Sequence, residues 1–398
     1  MPRVADGHWQ NSGLMTDRDG IVLDTRNPGV DQPDVSMIVP VFNVAPYIEA
    51  CLNSILANHS ELRLELIIID DGSGDLSHEV IHALLMRGDW PPLVYIRQKN
   101  QGLSAVRNRG ASLARGDFIG FLDSDDLIVP GQLRQMLDLA RANQCDLVLG
   151  QTEIFESVTG VSRPFYDQPY WESLLHGQSF LVTSSKESPD ILSFEPNVNY
   201  RLISRQFYQK AGLHFPEGLF FEDAAVHIRM VMQAQAIALH SAIYYRYRVN
   251  RPGKITEERS RRRFDVLPVC HLAIMELLSA NATPSQAAAA LRGLFRLAWG
   301  CGVMTLINER HTFFIQAVTV FGSGLPRQWM IAYLKRHLRD PRHALLGLLM
   351  TGGGDKVLAA WSSRELSFVE SLRFGVHLFW PSREKPRPDS GDSQRNQS

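Results

Sequence analysis

Cysteine is scarce in this chain. The four residues Cys51, Cys145, Cys270 and Cys301 stand far apart and form no CxxC pair. That spacing excludes a cysteine-built zinc site or a disulfide frame and fits buried thiols in a reducing compartment. A surplus of one charge is lacking too. Lys and Arg number 41 against 42 Asp and Glu, so no global field points to nucleic acid as a partner. No uninterrupted apolar run reaches the ~18 residues that a membrane span needs. The opening stretch MPRVADGHWQNSGLMTDRDG has no apolar centre of the signal-peptide kind. These absences predict a cytoplasmic protein, with peripheral contact at the inner face of a membrane as the one membrane role left open.

Alternating strand and helix patterns fill the first part of the chain. Residues 1–34 are polar and without periodicity and read as a loosely ordered lead-in. Then come VSMIVPVF (35–42), LELIIIDDGS (64–73), LVYIRQ (93–98), GDFIGFLDSDD (116–126) and DLVLG (146–150), separated by helical stretches such as PYIEACLNSILAN and GLSAVRNRGASLA. Continuous apolar runs between helices predict a mostly parallel sheet covered on both faces. The pattern loosens over 151–258, turns helical and Ala/Leu-rich over 259–380, and ends in a tail, 381–398, of disorder composition.

In such sheets ligands bind at the carboxyl ends of the strands, so the residues that follow each strand carry the information. After the first come Pro40 and Phe42, a turn former and an aromatic ring that can stack on a base or simply pack. The second ends in Asp70 and Asp71 before Gly-Ser-Gly, either an Asx-turn and helix cap or a carboxylate offered to a base or ribose. After the third, Asn100, Gly102 and Ser104 open a helix whose N–H groups can face an anion, with Arg107 a turn further in. The fourth delivers Asp123, Asp125 and Asp126. Two aspartates at this spacing can approach one divalent cation, since hard cations take oxygen ligands and share them with phosphates. A helix cap accounts for the same spacing.

Taken together and in this order, VSMIVPVFNVAPYIEACLNSI, ELIIIDDGSGD and NQGLSAVRNRGASLARGDFIGFLDSDD resemble the nucleotide-sugar-binding half of family 2 glycosyltransferases. The resemblance implies the GT-A fold: an α/β, Rossmann-like sheet flanked by helices, here with a helical C-terminal domain. It is strong over 35–150 and weaker over 151–258, the acceptor side. It also implies roles. Asp71 would recognise the base, with Pro40 and Phe42 around it, and Asp123 the ribose or diphosphate. Asp123 and Asp125 would hold Mn²⁺ or Mg²⁺. In GLFFEDAAVHIRM, Asp223 would be the catalytic base with Glu222 beside it, although helix-terminal acids occur for structural reasons. In YYRYRVNRPGKIT, Arg248, Arg251 and Lys254 would contact phosphate.

The implied reaction is an inverting, metal-dependent transfer from a nucleotide-diphosphate sugar, a UDP-sugar, to a glycan or lipid-linked glycan acceptor in polysaccharide assembly. Two other readings compete. A nucleotidyltransferase also uses metal and aspartates, but would carry a Gly-rich basic loop after the first strand, which PVFNVAPYIEA lacks. A non-catalytic nucleotide-sugar binder has no need of the Glu222–Asp223 pair. The run EERSRRRF, with Arg259 and Arg261–Arg263, reads as a solvated linker or as a patch facing anionic lipid. His240, after an apolar stretch, reads as packing.

Overall fold

The computed structural model describes residues 20–27, 32–250, 259–322, 324–338, 340–352 and 354. Arg251, Lys254 and the tail 381–398 lie outside the described residues, as does the apolar stretch 371–380.

Among the described residues eleven strands make one sheet: β1 (Ile21–Asp24), β2 (Val35–Val41), β3 (Leu64–Asp70), β4 (Leu93–Arg97), β5 (Phe118–Phe121), β6 (Leu127–Ile128), β7 (Leu147–Glu156), β8 (Ser162–Pro164), β9 (Phe180–Thr183), β10 (Arg201–Ser204) and β11 (Ile237–Val249). Their order is β1-β4-β3-β2-β5-β10-β7-β11-β6, with β8 against β7 and β9 against β11. The expected parallel block is present as β4-β3-β2-β5. β10 then enters antiparallel to both β5 and β7, and β7 runs parallel to β11. Within the lead-in, residues 20–27 are less loose than their composition suggests, because β1 pairs antiparallel with β4 and covers that edge of the sheet. Four residues, IVLD, set in polar surroundings are too short a run to read as a strand.

Every residue of β2 and β3 is buried, as aliphatic strands covered on both faces must be. Pro40 sits inside β2 without breaking it. The ladder to β5 ends at Ile38, whose carbonyl accepts from Leu122 N, while the ladder to β3 continues to Val41. The missing N–H of Pro40 therefore falls on the side that the chain has left to make the Asp123–Asp126 turn.

The helices are α1 (Ile48–Leu56), α2 (Ser77–Leu85), α3 (Leu103–Leu113), α4 (Gln132–Ala142), α5 (Gln168–Leu175), α6 (Arg205–Lys210), α7 (Asp223–Gln233), α8 (Val266–Ser279), α9 (Pro284–Met304), α10 (Arg310–Gly322), α11 (Arg327–Arg336) and α12 (Pro341–Thr351). The helical region begins with a 3₁₀ turn at Arg261–Asp265, close to the expected boundary. It packs directly on the sheet domain, α8 against α7 and α9 against the turn Pro189–Ser193. One continuous core runs through both. α9 starts with a capping box, Thr283 and Gln286 satisfying each other's backbone.

α3 approaches β2 closely because residue 110 is glycine. A Cβ there would lie 2.4 Å from Ile38 Cγ2. Gly110→Val is expected to lower stability by about 1–3 kcal/mol through overpacking. Calorimetric melting checks this, and the double variant with Ile38→Ala should lose less than the sum of the two single losses.

Candidate active site

The turn after β5 places three carboxylates within four residues, and each has a different environment. Asp126 is buried and fully engaged. One oxygen accepts from Arg248 N at 2.6 Å and the other from the Tyr245 hydroxyl, both on β11. Burial, then the charges of Asp125 and Asp123, push its pKa well above the usual carboxylate range. Asp126 is thus a latch between the turn and β11. Asp125 and Asp123 line a cavity of about 680 Å³, and the Asp123 side chain keeps 29% of its exposure.

α3 carries the central cation. Arg107 is 1% exposed, and its guanidinium donates to Glu222 at 2.7 Å, Asp223 at 2.8 Å and Asp123 at 3.0 Å. The ring of Phe215 lies 5.3 Å from it. Burial works against this charge, and the three carboxylates more than reverse the effect, so its pKa is raised. Arg107, expected among the donor-binding residues, does line the cavity, with both of its terminal nitrogens on carboxylates. It joins the end of β5 to the start of α7, sequence positions more than a hundred residues apart.

Glu222 and Asp223 open α7. Burial pushes Glu222 up to about 7, helped by the Asp223 charge and opposed by Arg107. Burial raises Asp223 as well, with Arg107 opposing and Asp123 adding to the rise. Two acids held in one buried site around a single arginine cannot both ionise easily. The Asp223 side chain is 19% exposed to the cavity, so it is a carboxylate with raised proton affinity and access to a ligand.

The cavity brings together Asn100, Gly102, Arg107, Asp123, Asp125, Glu222 and Asp223. Ser104, Asp126 and Arg262 line it too, whereas Pro40, Phe42, Asp71 and Arg248 do not. Pro40 is buried in β2, and Phe42 stands 48% exposed at its end. Asp71, expected at the base, is buried, and its oxygens accept from Gln98 Nε2 at 2.8 Å, Gln101 N at 2.9 Å and Gly102 N at 2.8 Å. It fixes the loop that leads into α3. Its neighbour Asp70 caps Ser73 N at 2.8 Å and pairs with Arg97.

Arg248, expected at phosphate, is buried too. It donates to the Asp125 carbonyl at 2.5 Å and to Ser157, and its guanidinium lies over Phe155 and Tyr47. Its position supports the Asp123–Asp126 turn from behind. His240 shares a 3.3 Å contact with Gln132 Oε1, in keeping with packing.

Sequence reasoning missed much of the opposite wall: Phe165, Tyr166, Asn197, Phe220, Phe221 and Tyr247. Phe221 has φ of +67°, a left-handed conformation that a bulky residue adopts only under constraint. It sits directly before the acidic pair, a local strain that no sequence pattern announces. The arginine run folds against this wall rather than standing free. Arg262 stacks on Phe220 at 4.8 Å and lines the cavity, and buried Arg263 lies 5.7 Å from the Phe221 ring. Asp265 lines the cavity and accepts from Phe220 N. Ser104 is buried on the cavity wall with no hydrogen-bond partner for its hydroxyl.

Residues 36–194 match the family model for glycosyl transferase family 2. EpsH and EpsJ of Bacillus subtilis, both named as glycosyltransferases, are 32% identical over 233 residues and 30% identical over 226. Each match covers 56% of this chain, and the chain spans 62% and 63% of those relatives, somewhat less than two thirds. An uncharacterized glycosyltransferase of Haemophilus influenzae is 32% identical over 184 residues, 43% of this chain and 69% of that protein. Among solved structures, S. aureus TarS in complex with UDP-GlcNAc superposes with a TM-score of 0.65 at 17% identity, over 83% of this chain and 89% of that one. The fold is GT-A, as the resemblance implies.

Removing the central cation leaves three carboxylates without their shared partner. Arg107→Gln is expected to cost about 3–5 kcal/mol of stability, the range for breaking a buried ion pair from one side. The double variant Arg107→Gln, Glu222→Gln should recover part of that loss, because one stranded charge goes with it. Chemical denaturation of the two variants and the parent measures the difference.

Proposed function

The chain belongs to glycosyltransferase family 2, and from that premise we propose that it transfers a sugar from a UDP-sugar to an acceptor hydroxyl with inversion, in the assembly of a glycan. The observation that carries this reading is the single cavity shared by Asp123, Asp125 and the Glu222–Asp223 pair, with Arg107 spanning the two groups. Its volume of about 680 Å³ falls within the roughly 300–1,000 Å³ of small-molecule sites. The TarS complex with UDP-GlcNAc, on the same fold, favours uridine as the nucleotide.

Asp123 and Asp125 form an oxygen-only donor pair at the cavity wall, with Asp126 close enough for their charges to suppress its ionisation. That concentration of negative charge fits a hard divalent cation, Mn²⁺ or Mg²⁺. When bound with the diphosphate, the ion would neutralise charge on the leaving group. Arg262, an exposed cation on the cavity wall, would supply a guanidinium to the phosphates, the role expected of Arg248, Arg251 and Lys254. Asp71 would act through the loop 98–102, whose backbone N–H groups it orients.

Asp223 would accept the proton of the attacking hydroxyl. A single base on one face matches a one-step displacement, and one displacement inverts the anomeric centre. The raised proton affinity of the pair suits the role, because a base works best with a pKa near the working pH. Arg107 positions Asp223 against Asp123 and so sets base and donor in one frame.

Asp125→Ala is expected to abolish the metal-dependent part of UDP binding, read by titration calorimetry with and without Mn²⁺. Unchanged affinity would reduce the carboxylate to a structural cap. Asp223→Asn keeps the shape and removes the charge, so turnover should fall by ~10²–10⁴-fold with little change in UDP affinity. Wild-type turnover would overturn the assignment.

The pH profile supplies a further check. The base works ionised, and burial, with the Asp123 charge adding to it, raises the Asp223 pKa, so the parent rate should rise with pH along a limb set above the ordinary carboxylate range. Glu222→Gln removes the neighbouring like charge and should move that limb to lower pH.

A further inference from the structure

A second cavity of about 340 Å³ lies beside the first. Tyr166, Glu195, Pro196, Phe221 and Leu297 line both, so the two adjoin and share a wall. The second is walled mainly by apolar side chains, among them Leu192, Phe194, Ile228, Leu294 and Met304. α7 connects the chemistry of the two. Asp223, its first residue, faces the first cavity, and His227, one turn on, lines the second. At 1.5 Å per residue the separation along the helix is ~6 Å.

Two details point to a ligand rather than a packing gap. Gly293 and Gly300 of α9 both line this cavity, seven residues apart and hence on one face. A Cβ built on either meets nothing within 4 Å. Glycine is the least favourable residue after proline in a helix interior, and other helical glycines here have a packing reason. At Gly302, for example, a Cβ would lie 2.5 Å from Phe314. At 293 and 300 the missing side chains only keep the cavity wide.

The second detail is His227, 3% exposed, whose Nδ1 has no hydrogen-bond partner. Its Nε2 makes only a 3.4 Å contact with the Leu192 carbonyl. It is a buried polar handle in a chamber that is mainly apolar, with Glu195, Arg296 and buried Arg263 also on the wall. At the far end of α9 Gly300 is exposed, and the chain beyond the helix exposes Leu306 and Ile307 at 41% and 53%.

We propose that this cavity seats an aliphatic chain of the acceptor, so that the substrate is an amphipathic molecule whose hydroxyl lies at Asp223 and whose hydrocarbon runs along α9. The proposal rests on the glycosyl-transfer reading of the first cavity. The chain enters between α7 and α9, and the Gly293–Gly300 face gives it room. The wall that the two chambers share brings its polar end beside the base.

The test uses the full chain and two probes below their micellar concentration, n-dodecyl-β-D-glucoside and methyl-β-D-glucoside, with UDP titrated into the same preparation. The dodecyl probe should bind at least tenfold more tightly than the methyl one. Gly293→Phe, which fills the chamber, should weaken dodecyl binding at least tenfold and leave UDP affinity unchanged, whereas Gly293→Ala should bind both much as the parent does. Equal affinity for the two glucosides, or dodecyl binding undiminished in Gly293→Phe, overturns the proposal.

A dodecyl glucoside with a terminal diazirine gives a readout on the parent protein alone. Label in peptides of α7 or α9 supports the site, and label found only elsewhere overturns it. Dodecyl binding without UDP binding would sink the transferase reading and keep the apolar site. UDP binding without chain-length dependence would do the reverse.

Discussion

One guanidinium holds this site together. Arg107 is buried to 1% exposure and shared among Asp123, Glu222 and Asp223. A buried charge needs partners, and three buried or half-buried acids need a cation, so each requirement meets the other. The arrangement depends on α3 lying close against β2, which Gly110 permits. It depends equally on β10 pairing with β5 and β7, which carries the later half of the sheet against the earlier half.

Around that centre the carboxylates divide between holding the protein and facing the cavity. Asp71 and Asp126 spend their oxygens on backbone N–H groups and side chains of neighbouring segments. Asp71 thereby fixes the loop before α3, and Asp126 fixes the turn after β5. Asp123, Asp125 and Asp223 are left at the cavity wall. Arg248 belongs with the first group, since it braces the Asp125 carbonyl from the protein side. Rigid support of this kind keeps a charged site from relaxing when its ligand is absent.

The helical region has a part in the same site. Arg262 and Asp265 precede α8, and Leu297 lies on α9, yet all three line the first cavity. α7 and α9 then enclose the second. The acidic pair at the start of α7 thus stands between a chamber that holds the carboxylates and a smaller one walled mainly by apolar side chains.

The local pattern of residues determined much of this. Aliphatic runs separated by amphipathic stretches define β2 to β5 and the helices between them, because burial on both faces leaves no choice of residue type. The DSDD turn and the acidic pair were also legible, since carboxylates at the end of an apolar strand, or after the apolar GLFF, stand out against their surroundings. What each group touches was not legible. Arg107 and Arg262 are both arginines in basic or polar runs, and only the packing of α3 against α7 buries the first while the 3₁₀ turn before α8 leaves the second at the cavity. What Asp71 and Arg248 touch was hidden for the same reason. Hydrogen-bond partners come from segments about 30 residues away for Asp71 and more than 90 away for Arg248, and sequence periodicity carries no information about such contacts. The short strand β1 and the empty face of α9 at Gly293 and Gly300 were likewise decided by tertiary structure, because a lone pairing edge or a missing side chain has meaning only once its neighbours are in place.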